Sequence, residues 1–220
     1  ASGTLGSRNE FQARFALPGS RFGGKPLGGE GAFRYAGDAK SVRLSDVALA
    51  LDLADNRLRA RGAWGGPGAR LALRLDAPTL AAIGYGVGGR AGAEGTLGGD
   101  FASPSGALTF YGEALRLPGG LRLAGVNGEA RLDAGMTGPF RLSVGLSGLA
   151  ADGAEAAASM LAESAFVAAE GTRAAHTLRL EASGLQGHTL SLRLQGGLRP
   201  PPATSGAPDS TLGRLGWAGQ

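Results

Sequence analysis

The sequence predicts an all-β chain laid out as an elongated antiparallel meander, and three observations carry that prediction. RLALRLDA (Arg70–Ala77) has leucine at every second position with polar or small residues between. The beat returns in VALALDL (Val47–Leu53), LRLAGV (Leu121–Val126), FRLSVGL (Phe140–Leu146), HTLRLEA (His176–Ala182) and HTLSLRLQ (His188–Gln195). Period-two alternation makes one face oily and the other wet, the pattern of half-buried strands in an antiparallel sheet. Glycine supplies 41 of the 220 residues, against a usual share of about 7%, so turns are frequent and strands short. Turn signals separate the runs roughly every 8 to 12 residues, as an all-β meander requires.

Taken in order, strands are expected at 10–17, 30–35, 41–54, 56–64, 69–76, 89–97, 106–116, 120–133, 139–148, 163–171, 175–184, 187–197 and 211–218. Asp55-Asn56 and Gln186-Gly187 each separate two such runs by a hairpin-length gap, which predicts antiparallel neighbours. The second pair of runs also repeats His-Thr-Leu-x-Leu, at 176–180 and 188–192. Two segments break the beat. Ala77–Gly84 has Pro78 where a helix would start, Leu80 and Ile83 one turn apart and Gly84 as a stop, so it reads as a short helical stub. Asp152–Glu163 places Glu155 three residues after Asp152, ahead of good helix formers, and reads as a second short helix. Pro18–Gly31 and Arg199–Ser210 are rich in proline and glycine and read as loops. The whole chain, 1–220, is expected to be a single elongated β segment of a longer protein.

Composition narrows the function classes. Cysteine is absent, which removes disulfides, thiolate chemistry and cysteine-held zinc. Basic residues exceed acidic ones by 22 to 18, yet the arginines sit singly between leucines, as at Arg70, Arg74, Arg122, Arg141, Arg179 and Arg193. That is the solvated face of strands; a nucleic-acid surface would instead gather basic and aromatic residues into a patch. No apolar run approaches the roughly 20 residues of a membrane-spanning helix. The only histidines, His176 and His188, start two strands and have no other ligand type at metal spacing. Gly84–Gly89 lacks the strand–loop–helix context and the lysine of a phosphate loop. No serine stands in a Gly-x-Ser-x-Gly elbow. No enzyme activity, cofactor, metal or nucleic-acid partner is expected.

The run NRLRARGAWGGPGARLALRLDAPTLAAIGYGVGGRAGAEGTLGG (Asn56–Gly99) resembles the TamB family of Gram-negative bacteria and, more broadly, the AsmA-like bridge proteins. The resemblance lies in a strand ending in a glycine turn, a leucine-alternating strand, an Asp-Ala-Pro, a Leu-Ala stub and a glycine-rich return. LRLAGVNGEARLDA (Leu121–Ala134) and GTRAAHTLRLEASG (Gly171–Gly184) continue it, so the likeness covers about 40–197. It implies a periplasmic part of an inner-membrane-anchored protein that pairs with the outer-membrane barrel TamA. It also implies phospholipid carried along a hydrophobic groove and a role in autotransporter assembly.

With that likeness, the meander is expected to curl into a U-shaped, taco-like groove lined by Leu49, Leu51, Leu71, Leu73, Leu75, Leu121, Leu123, Leu142, Val144, Leu146, Leu178, Leu180, Leu190, Leu192 and Leu194. Phospholipid acyl chains would be its occupants. The alternative is that the same leucines seal against one another in a closed β-sandwich or β-solenoid, with an adhesin-like role.

Overall fold

The computed structural model describes residues 2–4, 9–37, 41–100, 102–133, 135, 137–152, 158–185, 187–199 and 216–219. The strands are β1 (Ser2–Thr4), β2 (Asn9–Ala16), β3 (Ser20–Phe22), β4 (Lys25–Gly37), β5 (Val42–Leu53), β6 (Asn56–Trp64), β7 (Arg70–Ala77) and β8 (Gly88–Gly99). They continue as β9 (Pro104–Leu117), β10 (Leu121–Leu132), β11 (Phe140–Asp152), β12 (Ala158–Gly171), β13 (His176–Leu185), β14 (His188–Arg199) and β15 (Gly216–Gly219). All belong to one sheet in sequence order, with β3 set aside as a short partner of β4. Each pairing is antiparallel, as expected of strands joined by turns too short for a crossover.

This is the open member of the two architectures that the alternation allowed. Among the described residues no second layer covers the sheet and no large side chain is fully enclosed. The accessible surface is 14470 Å², whereas a compact chain of 21.9 kDa would expose about 9,300 Å². A flat single sheet would leave its two faces equally wet, but here they differ. Along β7 the leucines and Ala77 are buried or half-buried while Arg70, Ala72, Arg74 and Asp76 are exposed. Side-chain size does not explain this, because Ala72 is exposed while Ala60 on the neighbouring strand is 5% exposed. The leucine face is the concave one.

Local irregularities bend the strands without losing that face. Asp46 in β5 has φ 52° and shifts the register against both neighbours, the mark of a β-bulge. In β9 the irregular residue is Ala114, φ 49°, and in β11 it is Gly148, φ 58°. A Cβ placed on Gly112 would meet Leu115 Cδ1 at 2.8 Å and Val126 Cγ1 at 3.0 Å. Leu115, three residues on, therefore shares Gly112's face, which strict alternation would forbid.

Three sequence expectations need correction. Asp152–Glu163 is not a helix: β11 runs through Asp152 and β12 starts at Ala158, with Leu149 paired to Ala162; 153–157 lie outside the described residues. Helix propensity in that stretch is a few tenths of a kcal/mol per residue, and a strand's hydrogen bonds to β11 and β13 outweigh it. Pro18–Gly31 is not a loop throughout, since β3 and the start of β4 form a hairpin about Gly23 and Gly24, both with positive φ. The strand expected at 30–35 is the middle of this longer β4. Of the last loop and strand expected, 200–215 lie outside the described residues; Arg199 ends β14 and 216–218 fall in β15.

The helical stub at Ala77–Gly84 is present as a single 3-10 turn, Leu80–Ala82. It is braced by Asn56, which is 5% exposed. The Asn56 amide donates to the Thr79 carbonyl at 2.9 Å and accepts from the Thr79 N–H at 3.0 Å, using both its hydrogen-bonding ends. Because Asn56 shares the face of Leu58 and Ala60, the turn folds over the rim of the concave side.

Candidate functional site

Pairing registers turn the alternating leucines into continuous rows that run across the strands. One row passes through Gly31, Leu49, Ala60, Leu73, Gly95, Leu108, Ala130, Leu142, Ala169, Leu178 and Leu194, each opposite the next. The row beside it holds Gly29, Leu51, Leu58, Leu75, Ala93, Phe110, Gly128, Val144, Val167, Leu180 and Leu192. Leu71 lies in a third row with Leu97, Gly106, Leu132 and Phe140, and Leu146 and Leu190 in a fourth with Val126, Ala165 and Ala182. Past the irregular residues Ala114 and Gly148, Leu123 pairs with Leu115 and Leu149, and Leu121 with Leu117 and Ala151. All fifteen expected positions thus fall on one face, in register from β5 to β14.

The rows also bring in residues that sequence reasoning missed. Leu97, Leu108, Phe110, Val126 and Val167 lie on the same face, and at the β2 end so do Phe11, Phe15, Phe33 and Tyr35. Their strands hide the beat because glycine or alanine fills many of the intervening apolar positions. In β8 the face reads Ala91, Ala93, Gly95, Leu97. In β9 the signal was there in Leu108 and Phe110, two apart.

Small residues opposite large ones shape the surface. Gly95 could not carry a side chain in place, because a Cβ there would sit 2.4 Å from the Ala107 carbonyl oxygen. Gly128 is roofed by the Phe110 ring, which a Cβ would approach to 2.5 Å. On the other side of Gly95, toward the third row, lies a hollow of about 280 Å³ bounded by Leu73, Gly95, Leu97, Gly106, Leu108 and Ala130. No charged side chain belongs to the four rows, so the trough offers contact area and almost no hydrogen bonding.

The opposite face carries the charges. Arg59 meets Asp52 at 2.9 Å, Arg131 meets Asp133 at 2.9 Å and Arg141 meets Glu170 at 3.5 Å. Arg90 is paired with Glu113 and Arg179 with Glu181. Hydrogen bonds and the adjacent negative charge hold the Arg90 and Arg131 guanidinium groups still more firmly protonated than usual. These pairs are largely exposed, and such pairs add at most about 1 kcal/mol each. A larger hollow of about 660 Å³ on this side runs between Arg59, Arg61, Arg74, Glu94, Glu129 and Arg131. Its lining also takes in Ala60, Leu73, Gly95, Leu108 and Ala130 of the first row.

Among the described residues no group of histidines and carboxylates is arranged to hold a metal, and no helix is long and apolar enough to cross a membrane. No curated protein and no solved structure matches the chain significantly. A family model does: the TamB N-terminal domain matches residues 19–204. That span includes every strand from β3 to β14, and hence all four rows from β4 to β14; β2 precedes it. The chain belongs to the TamB family.

Proposed function

We propose that the concave apolar face is a passive conduit for phospholipid acyl chains, as part of a periplasmic bridge between the inner and outer membranes. One observation carries the reading: the apolar rows cross the strands without interruption and nothing in the described structure roofs them. Neighbouring strands lie about 4.8 Å apart, so the eleven strands β4 to β14 give a path of roughly 50 Å. Each buried methylene contributes about 0.8 kcal/mol, so a sixteen-carbon chain would gain about 10 kcal/mol before ordering costs. Leucine, valine and alanine make no directional bonds, so that gain changes little as the chain slides. The residues assigned to acyl-chain contact are Leu49, Leu51, Leu71, Leu73, Leu75, Leu121, Leu123, Leu142, Val144, Leu146, Leu178, Leu180, Leu190, Leu192 and Leu194.

Membership of the TamB family supports the wider setting: a protein anchored in the inner membrane, acting with the outer-membrane barrel TamA, with a part in outer-membrane protein and autotransporter assembly. The role proposed is non-enzymatic. A photo-crosslinking amino acid at Leu73 or Val144 in cells is expected to capture phospholipid, whereas at Arg74 or Ser143 on the reverse face it is not. Equal labelling of the two faces would refute the conduit.

A further inference from the structure

The reverse face is not uniformly charged. In the row Tyr111, Asn127, Gly145, Phe166, each residue is directly opposite the next on β9 to β12. The rows on either side are Thr109, Glu129, Ser143, Ala168 and Glu113, Gly125, Ser147, Ser164. These twelve positions hold no arginine, although arginines recur over much of the rest of this face. They hold two aromatic rings, an amide, five hydroxyls with that of Tyr111, and two carboxylates; the Thr109, Ser147 and Ser164 hydroxyls already bond to Glu94, Gly125 and Ser183. Aromatic residues are only 6% of the chain, so two on the wet face, 48% and 37% exposed, call for a reason.

We propose that this patch binds an uncharged pyranose oligosaccharide lying across β9 to β12. The Tyr111 ring rests over Gly92, where a Cβ would come within 2.4 Å of Cε1. It is laid against the sheet, with its other face turned to solvent. The C–H groups on a pyranose face are weakly positive and pack on the negative face of such a ring. Phe166 lies three strand spacings away, about 14 Å, the reach of a short oligosaccharide. Between the rings, Gly125 and Gly145 leave a hollow of about 340 Å³, bordered by Tyr111, Glu113, Asn127 and Ser147. The Asn127 amide lies over Gly145, whose Cβ would meet its Oδ1 at 2.9 Å, and it makes no hydrogen bond to any described residue. It is free to donate to and accept from sugar hydroxyls. Glu113 is turned to Arg90. With Glu113 neutralised by Arg90, Glu129 leaves the patch a single net negative charge, which disfavours anionic polymers and admits neutral glycans.

The test is titration of the full chain with two probes, N-acetylated chitotetraose and maltotetraose, followed by amide NMR. At least one is expected to give saturable shifts at Tyr111, Asn127, Gly145 and Phe166. Asn127→Ala and Phe166→Ala should each weaken binding about threefold to tenfold, and Tyr111→Phe, which keeps the ring over Gly92, should bind as the parent does. Absence of shifts at these four amides with both sugars would overturn the proposal. So would unchanged affinity in both alanine variants, whose folding the same spectra report.

Discussion

The two ends of the trough solve one problem with different side chains. At the β2–β4 end the lining is aromatic, and the rings satisfy one another: Phe11 stacks on Tyr35 with centroids 4.8 Å apart and meets Phe33 edge-on at 6.2 Å. Phe15 lies over Gly31, where a Cβ would meet its Cε1 at 2.4 Å. At the β13–β14 end leucine faces leucine, Leu178 with Leu194 and Leu180 with Leu192, while Leu190 and Leu192 stay 44% and 40% exposed. Phe11 and Phe15 are still 38% exposed, close to Leu190 and Leu192, so the ends differ in ring-to-ring contact and not in overall burial.

The sharpest way to break that comparison is to fill glycines. Gly95→Ala, in the aliphatic middle, drives a Cβ against a backbone carbonyl that cannot move aside; we expect a loss of about 2–3 kcal/mol by denaturant unfolding. Gly31→Ala meets the Phe15 ring, 38% exposed and able to swing out, and the end of the Leu49 side chain at 3.1 Å, with no backbone atom in the way, and should cost about 1 kcal/mol or less. Equal losses would mean that the rings are as immovable as the backbone. Next in size, Phe11→Ala should cost about 2 kcal/mol through the lost stack and buried area, against about 1 kcal/mol for Leu192→Ala. The second variant should lower photo-captured lipid at a neighbouring trough position more than the first. Smallest of all, Arg131→Ala removes an exposed ion pair and should change stability by less than about 1 kcal/mol at either salt extreme.

Much of the sheet was legible before any coordinates. The runs 41–54, 56–64 and 69–76 are strands Val42–Leu53, Asn56–Trp64 and Arg70–Ala77; in the first and last, three or four leucines or valines at period two leave no competing arrangement, and the middle one follows from the hairpin-length gap at Asp55-Asn56. Legibility fell where the face is built from small residues. β8 presents Ala91, Ala93 and Gly95 to the trough, so its membership of the site was invisible without the partners Leu75, Leu73, Phe110 and Leu108. It failed at Asp152–Glu163, where alanine, methionine and glutamate read locally as helix and only the strand on each side made the extended form favourable. The bulges were hidden as well: Asp46 and Ala114 are unremarkable in sequence, and their positive φ is imposed by neighbours that hold the ladder on both sides.

By itself the sequence determined that the chain is a meander with one oily and one wet side, since side-chain alternation depends only on the pleat of each strand. It could not determine whether the oily side would be sealed, because identical alternation serves a sandwich and an open trough equally well. That was decided by how the strands associate: all fifteen join one sheet, in chain order except for β3 beside β4, with bulges that curve it and, among the described residues, no second layer to receive its leucines. Which leucines stand in line, and which glycines leave room beside them, follows from register, a relation between strands that no single strand encodes.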